Sequence, residues 1–336
     1  MESRYKELKK RLKGEFLKPI MASKALDYRD SLLIISEPRG GSTWLLELLS
    51  SIPKSATIFE PFHSNYGLYF RKDTYQWGTY FEPDHADPNH TKEWQNAISG
   101  TLVNPYVVSR SDIRDYMMAE QMVVKMIMGT AFLPWIVQNL DLKYAPIYLL
   151  RHPLAVAKSN IENLYKRGKE VYVDHTWIPS GKNKELYEKH KDLFKESNPI
   201  IHQLLGRWCV NNYYALRETP DDKHVKVFYE QMLLEPKSVL TALFKSWKLD
   251  IPERLFAKIE VPSSSDFKKD FRINKEEQLK KWFDGFSQTE LQDMEDILSR
   301  FDLKIYSMFD PMPVSNNPRS DFRAPSNYGS RSNQDV

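Results

Sequence analysis

Five short apolar runs punctuate the chain: Leu32–Ile35, Ala56–Phe59, Gln121–Met128, Ile147–Leu150 and Val225–Tyr229. Leu32–Ile35 is continuous and rich in branched residues, the pattern of a strand buried on both faces. Between and after the five runs apolar residues fall three or four apart, which lines one face of a helix. This spacing covers positions 44/45, 48/49 and 52, the segment Ala131–Leu140, and Leu154, Ala157, Ile161 and Leu164 behind Pro153. It continues over Leu204–Leu216 and Pro236–Trp247, and Ser287 with Glu290 forms a capping box for a last helix ending near Phe301. Strands alternating with helices predict an α/β fold: a three-layer α/β/α arrangement around a central, mainly parallel sheet of about five strands.

Two segments interrupt the pattern. Residues 63–120 keep no clean period and are dense in aromatics, among them Tyr66, Tyr69, Phe70, Tyr75, Trp77, Tyr80 and Phe81, with Asp84 and Asp87. Such an insertion beside a strand end is either a binding wall or lid, or a surface loop packed by its own rings. Residues 166–200 form a second, polar insertion rich in lysine and glutamate. Residues 1–24 predict a basic N-terminal helix with Tyr5, Leu8 and Leu12 on one narrow stripe. That stripe either packs on the body or anchors the helix to a surface. Residues 25–312 read as a single domain, and 313–336, without period, as a disordered tail.

The stretch Ser31–Ser51 carries the strongest chemical signal. A buried strand runs into the turn Glu37-Pro38-Arg39-Gly40-Gly41-Ser42-Thr43 and then into a helix. Strand, glycine turn and helix together aim backbone N–H groups and the positive helix end at an anion. Gly40 and Gly41 permit close approach, Ser42 and Thr43 add hydroxyls, and Arg39 adds a charged fork of donors. The result is a P-loop-like cradle for a phosphate or sulfate. The common ATP/GTP loop needs Gly-Lys-Ser/Thr at its end, and no lysine stands there. A GxGxxG is likewise absent.

Composition narrows the class. A net charge of +3 over 336 residues gives no field for nucleic acid. The single cysteine, Cys209, excludes an internal disulfide and a cysteine metal site, and its helical setting suits a buried thiol. No run is long enough for a membrane span and no apolar signal core opens the chain, so a cytoplasmic location is expected. Neither an acidic cluster nor a histidine pair marks a metal site.

A second strand–turn–helix occurs at YLLRHPLAVAKSNI, with Arg151 just past the strand and Ser159 eight residues on. Ligands of open parallel sheets bind beyond the carboxyl ends of the strands, which places Arg151 on the same edge as Arg39. Two arginine-bearing strand ends point to a ligand with two anionic groups.

These segments resemble the sulfotransferases that use 3′-phosphoadenosine-5′-phosphosulfate (PAPS). PRGGSTWLLELL is similar to their 5′-phosphosulfate loop, LLRHPLAVAKS to their 3′-phosphate segment, and VFYEQMLLEPKSVL to a later strand–helix block. Phe59-Glu60-Pro61 resembles the carbohydrate-directed Golgi branch, as does Lys281-Trp282, while VVKMIM has a counterpart in both branches. The set departs at Gly40, where most members carry serine, and at His152 in the turn after Arg151. The glycine-rich nucleotide loop of the cytosolic branch has no counterpart here.

The resemblance implies PAPS as donor and PAP as product, held by Arg39, Gly40, Gly41, Ser42 and Thr43 at the 5′ end. It also implies Arg151 and Ser159 at the 3′-phosphate, with Trp44 and Tyr229 at the adenine. Sulfuryl transfer then needs a base but no metal. Glu60 matches the family's base position, His63 is the alternative and His152 a weaker one. Lys125, in the middle of a strand, would stabilise the transferring group or reach out to water. The acceptor implied is a small-molecule alcohol or amine, with a glycan as the alternative. A P-loop kinase and an inactive nucleotide-binding scaffold are the remaining readings.

Overall fold

The structure, a computed structural model, describes residues 2–24, 26–69, 75–127, 129–166, 177–261, 263–264 and 274–314. Five parallel strands, β1 (Leu32–Ser36), β2 (Ser55–Phe59), β3 (Gln121–Met126), β4 (Ile147–Leu150) and β5 (Val225–Phe228), form one sheet in the order β2-β3-β1-β4-β5. From β1 the chain crosses to the edge strand β2, comes back to β3 beside β1, and then passes to the other side of β1 with β4 and β5, so the strand order reverses between β1 and β4. Clefts in open parallel sheets form at such a reversal.

In the first half of the chain the helices are α1 (Glu2–Lys24), α2 (Ser42–Leu49), α3 (Pro88–Ile98), α4 (Ile113–Met118), α5 (Leu133–Asn139) and α6 (Pro153–Lys166). The second half adds α7 (Lys182–Lys189), α8 (Ile200–Glu218), α9 (Tyr229–Leu234), α10 (Pro236–Trp247), α11 (Glu253–Ala257), α12 (Lys275–Lys280) and α13 (Gln288–Arg300). Alternate residues of each strand feed two separate cores. Leu33 and Ile35 of β1 and Tyr148 and Leu150 of β4 pack towards α5, α6, α8 and α13. Leu32, Ile34, Ile147 and Leu149 pack towards α2, α9 and α10. That division is the three-layer α/β/α fold. Cys209 is fully buried in α8, where burial pushes its thiol far above the usual range.

The structure departs from the sequence pattern at three places. The first insertion contains two helices, α3 and α4, each capped by an aspartate, Asp87 and Asp112. The second contains α7 and a 3-10 turn over Lys191–Phe194. Residues 167–176 of that insertion and the tail from 315 lie outside the described residues. On α1 the stripe Tyr5, Leu8 and Leu12 faces solvent, at 69%, 54% and 61% exposure. The helix packs instead through Leu17 and Met21, and through Gly14, whose hydrogen faces Pro105 where a Cβ would come within 2.7 Å. Among the described residues no helix is long and apolar enough to cross a membrane.

Candidate active site

Every strand of the sheet delivers a polar or aromatic group to the same edge. Glu60 follows β2, Lys125 lies near the end of β3, Glu37 to Thr43 follow β1, Arg151 follows β4, and Tyr229 follows β5. Tyr229 is therefore the first residue of α9 rather than the last of a strand.

The turn after β1 is built by two close approaches. Gly40 donates its N–H to Glu37 O at 3.0 Å, and a Cβ there would sit 2.2 Å from Ser36 Oγ. That contact explains glycine where a serine is more usual. Gly41 has φ +91° and lies against Tyr229, which a Cβ would meet at 2.3 Å. Arg39, between strand and glycines, also takes a positive φ of 68°. A non-glycine residue pays of order 1 kcal/mol there, a cost that collects at functional turns. Arg39 Nε donates to Ser159 Oγ at 3.0 Å, which joins the turn to α6. Arg151 Nη1 donates to the Arg39 carbonyl at 2.8 Å, and its guanidinium lies 4.3 Å from the Tyr229 ring and 5.3 Å from that of Trp282. Trp44 meets Tyr229 edge-on at 6.2 Å. Arg39, Gly41, Trp44, Arg151, Ser159 and Tyr229 thus form one contiguous cluster at the β1–β4 reversal, with Trp44 and Ser159 buried in it.

On the β2–β3 side, Glu60 is 6% exposed and has φ 49°. Its N–H is held by Lys125 O at 2.8 Å, which continues the parallel ladder one step past β2. Lys125 Nζ donates to Glu60 Oε1 at 2.5 Å, and Tyr106 OH donates to Oε2. Burial pulls the Lys125 ammonium below the usual lysine range, opposed by the attraction of Glu60 and aided by the nearby charges of Arg110 and Arg39. The proximity of Arg39 links this pair to the cradle. Lys125 and Arg110 also approach the Phe59 ring, at 4.3 Å and 4.6 Å. The Tyr106 phenol is pushed well up by burial and by Glu60.

His63 lies beside the pair, its ring 5.4 Å from Tyr106. Its Nδ1 accepts the Asn65 N–H at 3.2 Å, which leaves the proton on Nε2 in the neutral ring. Burial lowers its pKa. His152 is turned into the core: its N–H donates to Glu230 Oε1 at 2.8 Å, Nδ1 accepts from Leu154 N, and Nε2 meets Ser307 O at 3.0 Å. Burial drives its pKa down to about 4. Glu230 also accepts from Tyr306 OH at 2.9 Å. The adjacent Tyr229 and Glu230 therefore split their roles, one lining the site and the other tying the β4–α6 turn to Tyr306, in the short antiparallel pair of Tyr306–Ser307 with Asp310–Pro313.

The aromatic insertion divides likewise. Phe62, Tyr69, Tyr75, Phe81 and Trp94 pack on one another and on Phe132. Tyr66, Trp77 and Tyr106 instead surround His63 next to the Glu60 carboxylate. A small cavity of about 10 Å³, enough for one water, adjoins Glu60, Phe62, His63, Met126 and Phe132. Asp87 faces its own helix as the N-cap of α3, accepting from Asn89 N at 2.8 Å.

Three participants gave no signal in the sequence. Tyr106 and Arg110 lie in the irregular insertion and reach the pair only through the fold. Glu37 looked like an ordinary turn residue. The residue is half-buried, but its carboxyl is enclosed by Asn211, Thr130 and Arg207, and desolvation pushes its pKa up to about 7. Because the folded value lies above the ordinary 4.5, folding favours the protonated form. The associated stability is full below about pH 4.5 and is lost as pH rises through about 7. Glu37→Gln should therefore match the wild type in chemical denaturation at pH 5 and exceed it at pH 8 by up to about 3 kcal/mol. A gap that does not change with pH would show that Glu37 is ionised throughout.

A glycine turn opening onto a helix, at the strand reversal of a five-stranded parallel sheet, marks an α/β protein of three layers. A family model described as the sulfotransferase domain matches residues 29–310, and the chain belongs to the sulfotransferase family. Sulfuryl transfer is accordingly its activity. No curated protein matches the chain. Among solved structures it is similar to the sulfotransferase domain of the Synechococcus PCC 7002 olefin synthase, at 17% identity and TM-score 0.44 over 81% of this chain and 94% of that one. It is also similar to mouse sulfotransferase SULT7A1 complexed with PAP, at 15% identity and TM-score 0.41 over 85% and 88%. The sulfotransferase domain of the curacin biosynthetic pathway gives 15% and 0.41 over 80% and 96%.

Proposed function

We propose that the protein moves a sulfuryl group from PAPS to a hydroxyl or amine of a small-molecule acceptor by in-line displacement, with Glu60 as the base. The observation that carries this reading is the alignment, along one sheet edge, of an anion cradle and a buried carboxylate–ammonium pair with Arg39 between them. The cradle fits the 5′-phosphosulfate: Arg39, the N–H groups of Gly41 to Thr43 and the start of α2 all present positive charge. Arg151 and Ser159 suit the 3′-phosphate. Arg151 Nε is buried and has no hydrogen-bond partner among the described residues, a donor disposed for a phosphate oxygen. Trp44, Tyr229 and Trp282 offer ring faces and edges for the adenine.

Transfer builds charge on the departing phosphate and the sulfuryl oxygens while the acceptor loses a proton. Glu60 takes that proton. Once neutral, it no longer holds the Lys125 ammonium, which is then released towards the sulfuryl oxygens or the bridging oxygen. Arg39 and the N-terminus of α2 stabilise the leaving phosphate, and no step calls for a metal. His63, with Nδ1 occupied by Asn65, is disposed to donate to the acceptor rather than to accept from it. The rings of Tyr66, Trp77 and Tyr106 suit an acceptor with a flat, apolar face. A glycan acceptor is supported by the resemblances at Phe59-Glu60-Pro61 and Lys281-Trp282 alone.

A thermal-shift titration with PAP beside ATP, ADP and NAD tests the donor. A ligand selective for the folded state adds about 2.7 kcal/mol at a hundredfold excess over its Kd. PAP should raise the melting temperature and the others should not. A shift with ATP alone would favour a kinase, and no shift with any of them would favour a scaffold.

A further inference from the structure

Outside this site, the loop that leads into α3 gathers His85, Asp87 and His90. One ligand atom from each lies within 4.8 Å of the other two. His85 Nε2 and His90 Nδ1 are 3.2 Å apart, and His90 Nδ1 is 3.6 Å from Asp87 Oδ2. Four ligands about 2.0–2.1 Å from a tetrahedral Zn²⁺ are separated from one another by about 3.3–3.4 Å. The two spacings bracket that edge. The sequence pattern His-x-Asp-x-x-His conceals the pair, because the first histidine precedes the helix and the second lies in its first turn.

The groups behind the three ligands hold them in place. Asp87 Oδ1 is engaged by the Asn89 N–H as helix cap, which turns Oδ2 towards His90. The His85 backbone is fixed twice, its carbonyl by Trp135 Nε1 at 2.9 Å and its N–H by Glu82 O at 3.0 Å. Asn139 Nδ2 secures the neighbouring Pro83 carbonyl at 2.7 Å. The His90 ring stacks on Phe81 with centroids 5.2 Å apart, and His85 lies 5.6 Å from the same ring. Such outer contacts orient metal ligands and are costly to lose. Two imidazole nitrogens and one carboxylate oxygen are a donor set that suits Zn²⁺ rather than Mg²⁺ or Ca²⁺.

We propose that His85, Asp87 and His90 form a Zn²⁺ site, with water completing the tetrahedron from the open cleft of about 350 Å³ bordered by Tyr80, Glu82 and Ser180. The ion fastens the loop to α3. It also braces the aromatic stack, since His90 neighbours Tyr75 at 6.3 Å and Tyr75 packs on Phe62, two residues from Glu60. No reacting group contacts the site, and the proposal stands apart from the identity of donor and acceptor.

Calorimetric titration of the EDTA-treated 336-residue chain with Zn²⁺ tests it, with Co²⁺ as a spectroscopic probe. The wild type should bind one Zn²⁺, melt at a higher temperature with it, and give the visible bands of four-coordinate Co²⁺. Asp87→Asn retains a good helix cap but loses the anionic ligand. That variant and His90→Gln each lose a direct ligand and should bind Zn²⁺ more weakly by more than the roughly 10- to 100-fold that loss of an outer contact costs, while melting like the wild type in EDTA. Equal Zn²⁺ affinity in wild type and variants, or no binding to the wild type, would overturn the site and leave a bare imidazole–imidazole hydrogen bond.

Discussion

Glu60→Gln should lower kcat by about a thousandfold, within the range that a positioned general base contributes, and leave PAP affinity unchanged. The substitution is nearly isosteric, so the contact with Tyr106 OH survives at one oxygen or the amide. What is lost is the ability to accept a proton and the charge that faces Lys125 at 2.5 Å. Breaking a buried ion pair usually costs about 3–5 kcal/mol. Here the lysine has an escape, because burial already pulls its pKa down and removal of Glu60 pulls it further. Lys125 can shed its proton instead of remaining a buried cation, so the variant should fold with a smaller loss. Thermal melts with and without PAP, beside single-turnover transfer of labelled sulfate, separate the effects. A folded variant that binds PAP and turns over like the wild type would remove Glu60 as base. His63 would then have to release Asn65 to take the role.

The strands were legible because a parallel sheet buries both of their faces. Ile147–Leu150 is apolar at every position, and nothing at either end blurs its limits. The two strand–turn–helix units were legible because their parts are consecutive: Arg39 to Trp44 lead from β1 into α2, and Arg151 and Ser159 lead from β4 into α6. Other features depend on residues that meet only in space. Tyr106 reaches Glu60 across 46 residues, and Asn211 reaches Glu37 across 174. No local pattern announces either contact. The helices α3 and α4 were hidden because their buried residues are few, Trp94, Ala97 and Ile98 in one and Tyr116 in the other. Capping aspartates and turns carry the rest. On α1 the stripe Tyr5, Leu8 and Leu12 does not pack on the body, and docking uses Leu17, Met21 and the absence of a side chain at Gly14, which no apolar pattern marks.

Arg151→Ala should weaken PAP binding by about a thousandfold, equivalent to about 4 kcal/mol and to two or so hydrogen bonds made by a charged group. Arg151 does two things at once in this arrangement. It offers Nε to the proposed 3′-phosphate, and through Nη1 it holds the carbonyl of Arg39, the residue whose positive φ shapes the cradle. Arg151→Lys separates the two. A lysine keeps a positive charge near the phosphate but has no planar fork with which to serve both sites, nor the flat face that lies between Tyr229 and Trp282. It should recover only part of the loss. If the hold on Arg39 matters, Arg39→Ala and Arg151→Ala will be non-additive in a double-mutant cycle, by about 1 kcal/mol or more. Additive losses would mean that the two arginines act on separate anionic groups without sharing the turn. Wild-type PAP affinity in Arg151→Ala would place the 3′-phosphate elsewhere and take the nucleotide site away from the β4 strand end.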